Sequence, residues 1–404
     1  MGREVAVAPP QTGARGLAIA MFCVLLASYV INAMDRQLFP MLVPEVRREY
    51  SFSLADVGLL STAFTFGMAV AGLPTGYLLA RFSRKSVLQV GIALFSACTA
   101  LTVTASGFSD MLMYRAATGI GESMQLTILL TIAANYFIKH RSAALGSVNF
   151  SFGIGAIISP ILGGMLLSVY QSWRVPLLIF ALLGFVAIAA ISFTVRRWFT
   201  ESYSAASQHM DLGVGSKLLN RNTILLTLMS VIGGLVIYGY LGMYPTFLRE
   251  GLRYSPAAAG SVISLYGLGA LVSIGGGWLG DRFSPRIVLP AAFFTAAVLG
   301  YLLFHTSAML PHMILSFIWG VVVSGMIYVN LAGYLVKSLG SSLASRGSGI
   351  FVTSLYGSAS VAGYVMGWIA TYAGWATAGA IQLSLLSLIA GSLGLALRPD
   401  KMSW

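Results

Sequence analysis

Long apolar runs separated by short polar breaks constrain this chain more than any other feature. Twelve can be marked, at roughly 17–43, 54–80, 86–107, 110–138, 143–169, 175–197, 221–248, 256–280, 286–306, 311–336, 346–372 and 374–397. A helix needs about 20 apolar residues to cross the hydrocarbon of a bilayer, and inside lipid every backbone N–H and C=O must be satisfied within the protein. Composition agrees: 57% of the residues are hydrophobic and 9% charged, against about 25% charged in a soluble chain. Too few polar side chains exist to cover a soluble surface. The expected fold is an all-α membrane protein of twelve transmembrane helices.

The net charge of +12 does not mark a nucleic-acid partner, because the basic residues sit in short clusters between apolar runs. With both termini in the cytoplasm, 17 of the 24 Lys and Arg fall in cytoplasmic segments and 5 outside, while Arg36 and Arg115 stay within spans. That bias sets the expected orientation. Residues 1–16 read as a cytoplasmic tail, and the run that follows is too long for a signal-peptide core, so an uncleaved first helix is expected. Residues 198–220 form a polar cytoplasmic linker between a bundle at 17–197 and a second at 221–397, with a short cytoplasmic tail at 398–404. Cys23 and Cys98 both fall in spans and suggest no disulfide framework.

The two halves repeat. After the second run comes GYLLARFSRK, residues 76–85, and after the eighth comes GWLGDRFSPR, residues 277–286, an offset of 201. Two copies of one six-helix unit are a common build of secondary transporters. At these residues the chain resembles the major facilitator superfamily, whose loop after the second helix carries Gly, Asp-Arg, Gly and two basic residues. Gly76, Arg81, Arg84 and Lys85 match, while Ala80 replaces the acid and Ser83 the second glycine; the second copy keeps the acid as Asp281, with Arg282. The resemblance implies two pseudo-symmetric six-helix bundles and a gating, inter-domain role for Arg81, Arg84, Lys85, Asp281 and Arg282. Arg115, Gly119 and Gly121 fit the family's fourth-helix pattern. Gly146, Gly155, Pro160, Gly163 and Gly164 are similar to its antiporter-associated fifth-helix motif, with Ser159 where glycine is usual. Small residues at helical spacing also have a direct reading, since they let helix backbones approach in lipid.

Four charged residues lie within spans away from their ends: Asp35, Arg36, Arg115 and Glu122. A charge near the bilayer centre costs about 2.5–3.5 kcal/mol on insertion scales, so each should face a wet cavity or a partner. Arg115 and Glu122 are two turns apart and share a helix face. Glu122 lies about 12 residues into its span, roughly 18 Å at 1.5 Å per residue. A carboxyl in an apolar cavity resists ionising and a nearby guanidinium eases it, which is the behaviour proton coupling requires. Arginine keeps its proton, and its fork suits carboxylate or phosphate. The expected division of labour gives proton coupling to Glu122 and Asp35, and anion binding to Arg36 and Arg115. The competing reading is a static buried ion pair, Asp35 with Arg115 for example, tying the first helix to the fourth.

An Asp-Arg pair in the first helix with Arg and Gly-x-Gly-Glu in the fourth is similar to the superfamily's anion:cation symporter branch, and the spinster-like branch shares both features. Tyr244-Pro245 fits the symporter branch, whereas the fifth-helix motif points toward export. Other polar residues that could line the cavity are Asn32, Gln125, Asn149, Tyr240, Tyr244, Tyr328, Asn330 and Tyr356. Four scattered histidines and two cysteines build no metal site, and no nucleotide loop or nucleophile elbow lies in an aqueous segment. An enzyme is therefore not expected, nor any cofactor. The expectation is proton-coupled secondary transport of a small organic anion by alternating access, as a monomer in a bacterial inner membrane. The alternatives are a proton antiporter exporting drugs or amphipathic lipids, and an uncoupled facilitator.

Overall fold

The computed structural model describes residues 14–137, 140–201, 219–339 and 344–402. Residues 1–13 of the expected tail at 1–16, most of the linker at 198–220, Lys139 and His209 lie outside the described residues, and residues 14–16 already belong to the first helix. The first half is built from α1 (Ala14–Tyr50), α2 (Leu54–Val70) with α3 (Gly72–Leu79), α4 (Arg84–Thr102), α5 (Phe108–Tyr136), α6 (Arg141–Tyr170) and α7 (Arg174–Thr194). A single turn, α8 (Arg197–Thr200), follows. The second half begins with α9 (Arg221–Thr246), α10 (Pro256–Ala270) with α11 (Ser273–Arg282), and α12 (Pro285–His305). It continues through α13 (Met309–Trp319) with α14 (Val329–Lys337), then α15 (Ala344–Ala359), α16 (Ala362–Ala378) and α17 (Leu386–Leu395).

Eight of the described helical segments are long and apolar enough to cross a membrane on their own, and joining α10 to α11 makes a ninth. Three more complete the twelve. One is α5, which carries Asp110, Arg115 and Glu122; another is α2 continued by α3. The last comes from the 49-residue stretch Gly347–Leu395, which doubles back at Gly374 (φ +82°) and so counts twice. Glycine takes that left-handed backbone without the clash a side chain would bring. The first helix is longer than expected: α1 continues through Pro40 and Pro44 to Tyr50, so Arg47 and Arg48 sit in its last turn rather than in a loop.

The repeat at 76–85 and 277–286 has a structural cause beyond its basic residues. Ser83 caps α4, accepting from the Ser86 N–H, and Ser284 caps α12, accepting from the Arg286 N–H. A serine at the N-cap satisfies an otherwise orphaned backbone donor, so the serine standing where the family carries glycine starts the next helix. The breaks between α2 and α3 and between α10 and α11 fall at matching places, Ala71 and Leu271–Val272.

The halves meet at one end. Gly58 packs so closely on Gly363 that an added Cβ would lie 2.0 Å from the Gly363 carbonyl oxygen, and Gly367 meets Leu54 the same way at 2.1 Å. On the other side of the interface Gly260 meets Pro160 O (2.3 Å) and Gly164 meets Pro256 O (2.5 Å). The Thr62 hydroxyl donates to Ser360 O at 2.9 Å. Two ion pairs cross between the halves here: Arg47 with Glu250 and Arg249 with Glu45, each at 2.5 Å. We call this the sealed end, and the opposite end, which carries the 80–85 and 283–286 loops, the basic end. Within the fifth-helix motif, Gly155 packs on Val30 and Ala33 of α1 and Gly163 on Leu38, whereas a Cβ at Gly146 would meet nothing within 4 Å. The packing reading therefore does not extend to Gly146.

Candidate functional site

The site starts from the spacing of polar residues on α1. Asn32, Asp35 and Arg36 stand three and four residues apart and share one stripe, which faces α5. There, Arg115, Glu122 and Gln125 form a second stripe. The two helices exchange a pair of ion pairs. Arg36 Nε lies 3.1 Å from Glu122 Oε2, and Arg115 Nη1 lies 4.0 Å from Asp35 Oδ2. Neighbours in sequence, Asp35 and Arg36, thus reach partners on α5 that are seven residues apart. Both oxygens of Asp35 also accept from the Thr99 hydroxyl on α4 at 2.9 Å. Asn32 donates to Glu122 O (3.2 Å) and Gln125 Oε1 (2.9 Å), and Gln125 donates to Ser28 (3.0 Å).

The four charges differ in what they can reach. Arg115 is fully buried, with its guanidinium 4.7 Å from the ring centre of Phe39 and 5.5 Å from that of Phe64. The aromatic faces and the carboxylate of Asp35 leave it no route to a solute. Arg36 is different, because it forms part of the wall of a cavity between the two halves, about 780 Å³ of empty space including the solvent at its mouth. Its Nη2 has no hydrogen-bond partner, and neither do the two carboxyl oxygens of Glu122, the ion pair at 3.1 Å being misaligned for a hydrogen bond. Glu122 is wholly buried and stands one side chain behind the wall, reached through Arg36.

The first half lines this cavity with Tyr29, Arg36, Leu126, Leu130, Asn149 and Phe152. The second half contributes Tyr238, Tyr266, Tyr328 and Tyr356, the hydroxyls of Ser273 and Ser324, and apolar groups including Ile237 and Leu241. Of the sequence candidates, Arg36, Asn149, Tyr328 and Tyr356 line it. Asn32, Gln125 and Glu122 stand behind, and Asp35 and Arg115 deeper still. Tyr240 and Tyr244 are elsewhere: they stack on each other at 4.5 Å, and the Tyr240 hydroxyl donates to Ser316 at 3.3 Å. Tyr244 donates to His312 Nδ1 at 2.7 Å, because His312 Nε2 donates to Thr306 O at 2.9 Å and the other ring nitrogen is left as the acceptor. Asn330 ties α14 to α11 through Gly276 O at 3.0 Å.

Sequence reasoning missed Tyr29, Tyr238 and Tyr266. Tyr29 was in reach of it, lying three residues before Asn32 and seven before Arg36 on the same stripe. Tyr238 belongs with Ile237 and Leu241 in the cavity wall, while Tyr240 packs behind it on Tyr266 and Trp319, and Tyr244, nearly two turns beyond Ile237, packs on Phe304 and His312 past the end of the cavity lining. Among the described residues, the five loop residues make the following contacts, all within their own half. Arg84 donates to Thr200 O and Lys85 to Val195 O, and their backbone N–H groups reach Glu201. Asp281 pairs with Lys337 at 2.8 Å. Arg81 lies over Tyr77 and Arg282 over Trp278.

A profile of the Major Facilitator Superfamily matches residues 25–364, with a second, overlapping match at 226–403. The chain belongs to the Major Facilitator Superfamily. It is a multi-pass membrane transporter and not an enzyme. Protein spinster of Drosophila melanogaster is 29% identical over 56% of this chain, which spans 38% of that protein's length. The hexuronate transporter of Bacillus subtilis (strain 168) is 24% identical over 68% of this chain and 70% of its own. In fold, the chain is similar to a bacterial homologue of the human lysosomal transporter Spinster solved in an inward-facing, unoccupied conformation. That likeness has a TM-score of 0.75 at 16% identity and covers 95% of this chain and 96% of the other.

Proposed function

We propose that this protein moves a small organic anion together with a proton, by alternating access, as a monomer in a bacterial inner membrane with both termini cytoplasmic. One observation carries the reading: Arg36 is the sole cation lining the central cavity among the described residues, and its partner is the buried acid Glu122. While Glu122 is ionised it holds Arg36. Once protonated it lets go, and the guanidinium is free to take a carboxylate or phosphate. Each ligand therefore favours the form of the site that the other leaves behind. The positive-inside bias supports a cytoplasmic basic end, and on that reading the cavity faces inward and the sealed end is the barrier on the outer side. The hexuronate transporter among the relatives agrees with an anionic cargo.

The test is uptake into proteoliposomes under an imposed pH gradient. We expect inward anion flux to rise with an inward proton gradient, and Glu122→Gln to abolish that dependence while keeping counterflow exchange of the anion. Unchanged proton-driven accumulation in Glu122→Gln would overturn the coupling. The apolar strip of Leu126, Leu130 and Phe152 favours a second reading, export of an amphipathic cargo against protons, and flux of opposite sign under the same gradient would select it.

A further inference from the structure

We infer that the cargo is a monoanion with an apolar, planar body, carried electroneutrally with one proton; this rests on the function proposed above. The first argument is charge. Among the described residues, the membrane-embedded layer buries two cations, Arg36 and Arg115, and two acids, Asp35 and Glu122, so it sums to zero when all are ionised. Adding a proton to Glu122 leaves one positive charge. A monoanion placed on Arg36 Nη2 restores neutrality, and the loaded carrier crosses with the same charge as the empty one. A dianion would leave one negative charge uncompensated in a low-dielectric layer, where an unpaired charge is strongly disfavoured. Arg115 cannot serve the second carboxylate, being sealed between Asp35, Phe39 and Phe64.

The second argument is the rest of the cavity lining around Arg36. Leu126 and Leu130 stand one turn apart on α5, and Phe152, Ile237, Leu241 and Val329 continue an apolar surface. Rings of Tyr238, Tyr266, Tyr328 and Tyr356 belong to the same lining, and the hydroxyls of Tyr328 and Tyr356 already bond each other at 2.9 Å. Such rings offer faces for stacking a flat, conjugated body. A polyhydroxylated acid brings several O–H donors and needs as many acceptors. Among the described residues no carboxylate lines the cavity, and Asn149 is its one amide. The remaining side-chain acceptors are the neutral hydroxyl oxygens of the tyrosines, Ser273 and Ser324, and those of Tyr328 and Tyr356 already bond each other. Sugar hydroxyls would pair with these less strongly than with carboxylates, and an apolar planar body needs none of them.

Calorimetric binding to the purified full-length protein, with benzoate, terephthalate and glucuronate as probes, separates these chemistries. We expect benzoate to bind about tenfold or more tighter than either other anion, and Arg36→Gln to remove that binding while Arg36→Lys keeps part of it. In proteoliposomes, benzoate and proton uptake should be equal, and uptake should not respond to a potassium diffusion potential. Arg36-dependent binding that favours terephthalate or glucuronate, or uptake that scales with the potential, overturns the inference and leaves proton-coupled anion transport standing. Binding of all three probes that survives Arg36→Gln, or of none, overturns the anion reading itself.

Discussion

The two halves share a fold and differ in what they bury. The apolar core of the first half is split: one cluster around Phe95, Met124 and Ile128 lies toward the basic end, another around Phe39, Leu42 and Trp173 toward the sealed end. Between them runs the layer of Asn32, Asp35, Arg36, Arg115 and Glu122. The second half packs as one continuous cluster, extending from Leu226 to Met402 and taking in Met41, Phe64 and Met68 of the first half. At the offset of 201 that aligns the basic loops, Asp35 and Arg36 correspond to Val236 and Ile237. Its own buried polar group, Tyr244 with His312 and Ser316, contains no carboxylate or guanidinium and lies outside the cavity lining. Duplication supplied the scaffold twice, and the charge chemistry sits in one copy. The other copy supplies a wall of phenols.

The largest test of this contrast removes one charge of the sealed pair. Arg115→Met removes the cation paired with buried Asp35, and breaking a buried pair costs about 3–5 kcal/mol. Ser316→Ala, a polar deletion in the second half that leaves the Tyr240 hydroxyl without its acceptor, should cost less, about 1–3 kcal/mol. Thermal unfolding in one detergent would compare them. Equal losses would mean that the charged layer is no more demanding than an ordinary buried hydroxyl. Arg115→Met with Asp35→Asn should recover part of the loss, because no uncompensated charge then remains.

A smaller effect is expected from Tyr244→Phe, which strips the donor from His312 Nδ1 and leaves a buried acceptor unpaired, at about 1–3 kcal/mol. Anion affinity should hold, since Tyr244 is not part of the cavity lining and its hydroxyl is engaged by His312. Tyr238→Phe should behave in the opposite way, with stability nearly unchanged and affinity altered. If Tyr244→Phe weakened binding as strongly as Tyr238→Phe, the second half would be more than a wall.

Much of this was readable in the chain itself. Apolar runs of bilayer length dictate helices, and four charges inside them mark the polar layer before any coordinates are drawn. Spacing along one helix reports which residues share a face, as Asn32, Asp35 and Arg36 do. It does not report how two helices are rotated against each other, and that rotation decides the pairing of Arg36 with Glu122 and of Arg115 with Asp35. The same limit misplaced the tyrosines of α9: three of them fall within seven residues, and only Tyr238 turns to the cavity. The extension of α1 past Pro40 and Pro44 was hidden for another reason. Proline reads as a helix breaker, yet in a membrane bundle neighbouring helices can satisfy the carbonyls it frees.

The smallest expected effects belong to the sealed end, where each half offers one arginine and one glutamate to the other. The two bridges are unequal. Arg249 grips Glu45 with both terminal nitrogens, at 2.6 and 2.5 Å, and also donates to Met41 O; its side chain is 9% exposed, that of Arg47 35%. An exposed bridge such as Arg47 with Glu250 contributes about 0–1 kcal/mol and is screened by salt. Bidentate geometry and burial strengthen the other. Opening the sealed end breaks both bridges, so Arg249→Gln should speed labelling of a cysteine placed at Thr62 more than Arg47→Gln does, and raised salt should mimic Arg47→Gln alone. The reverse ranking would mean that the glycine contacts at Gly58 and Gly363 hold this end shut without help from the charges.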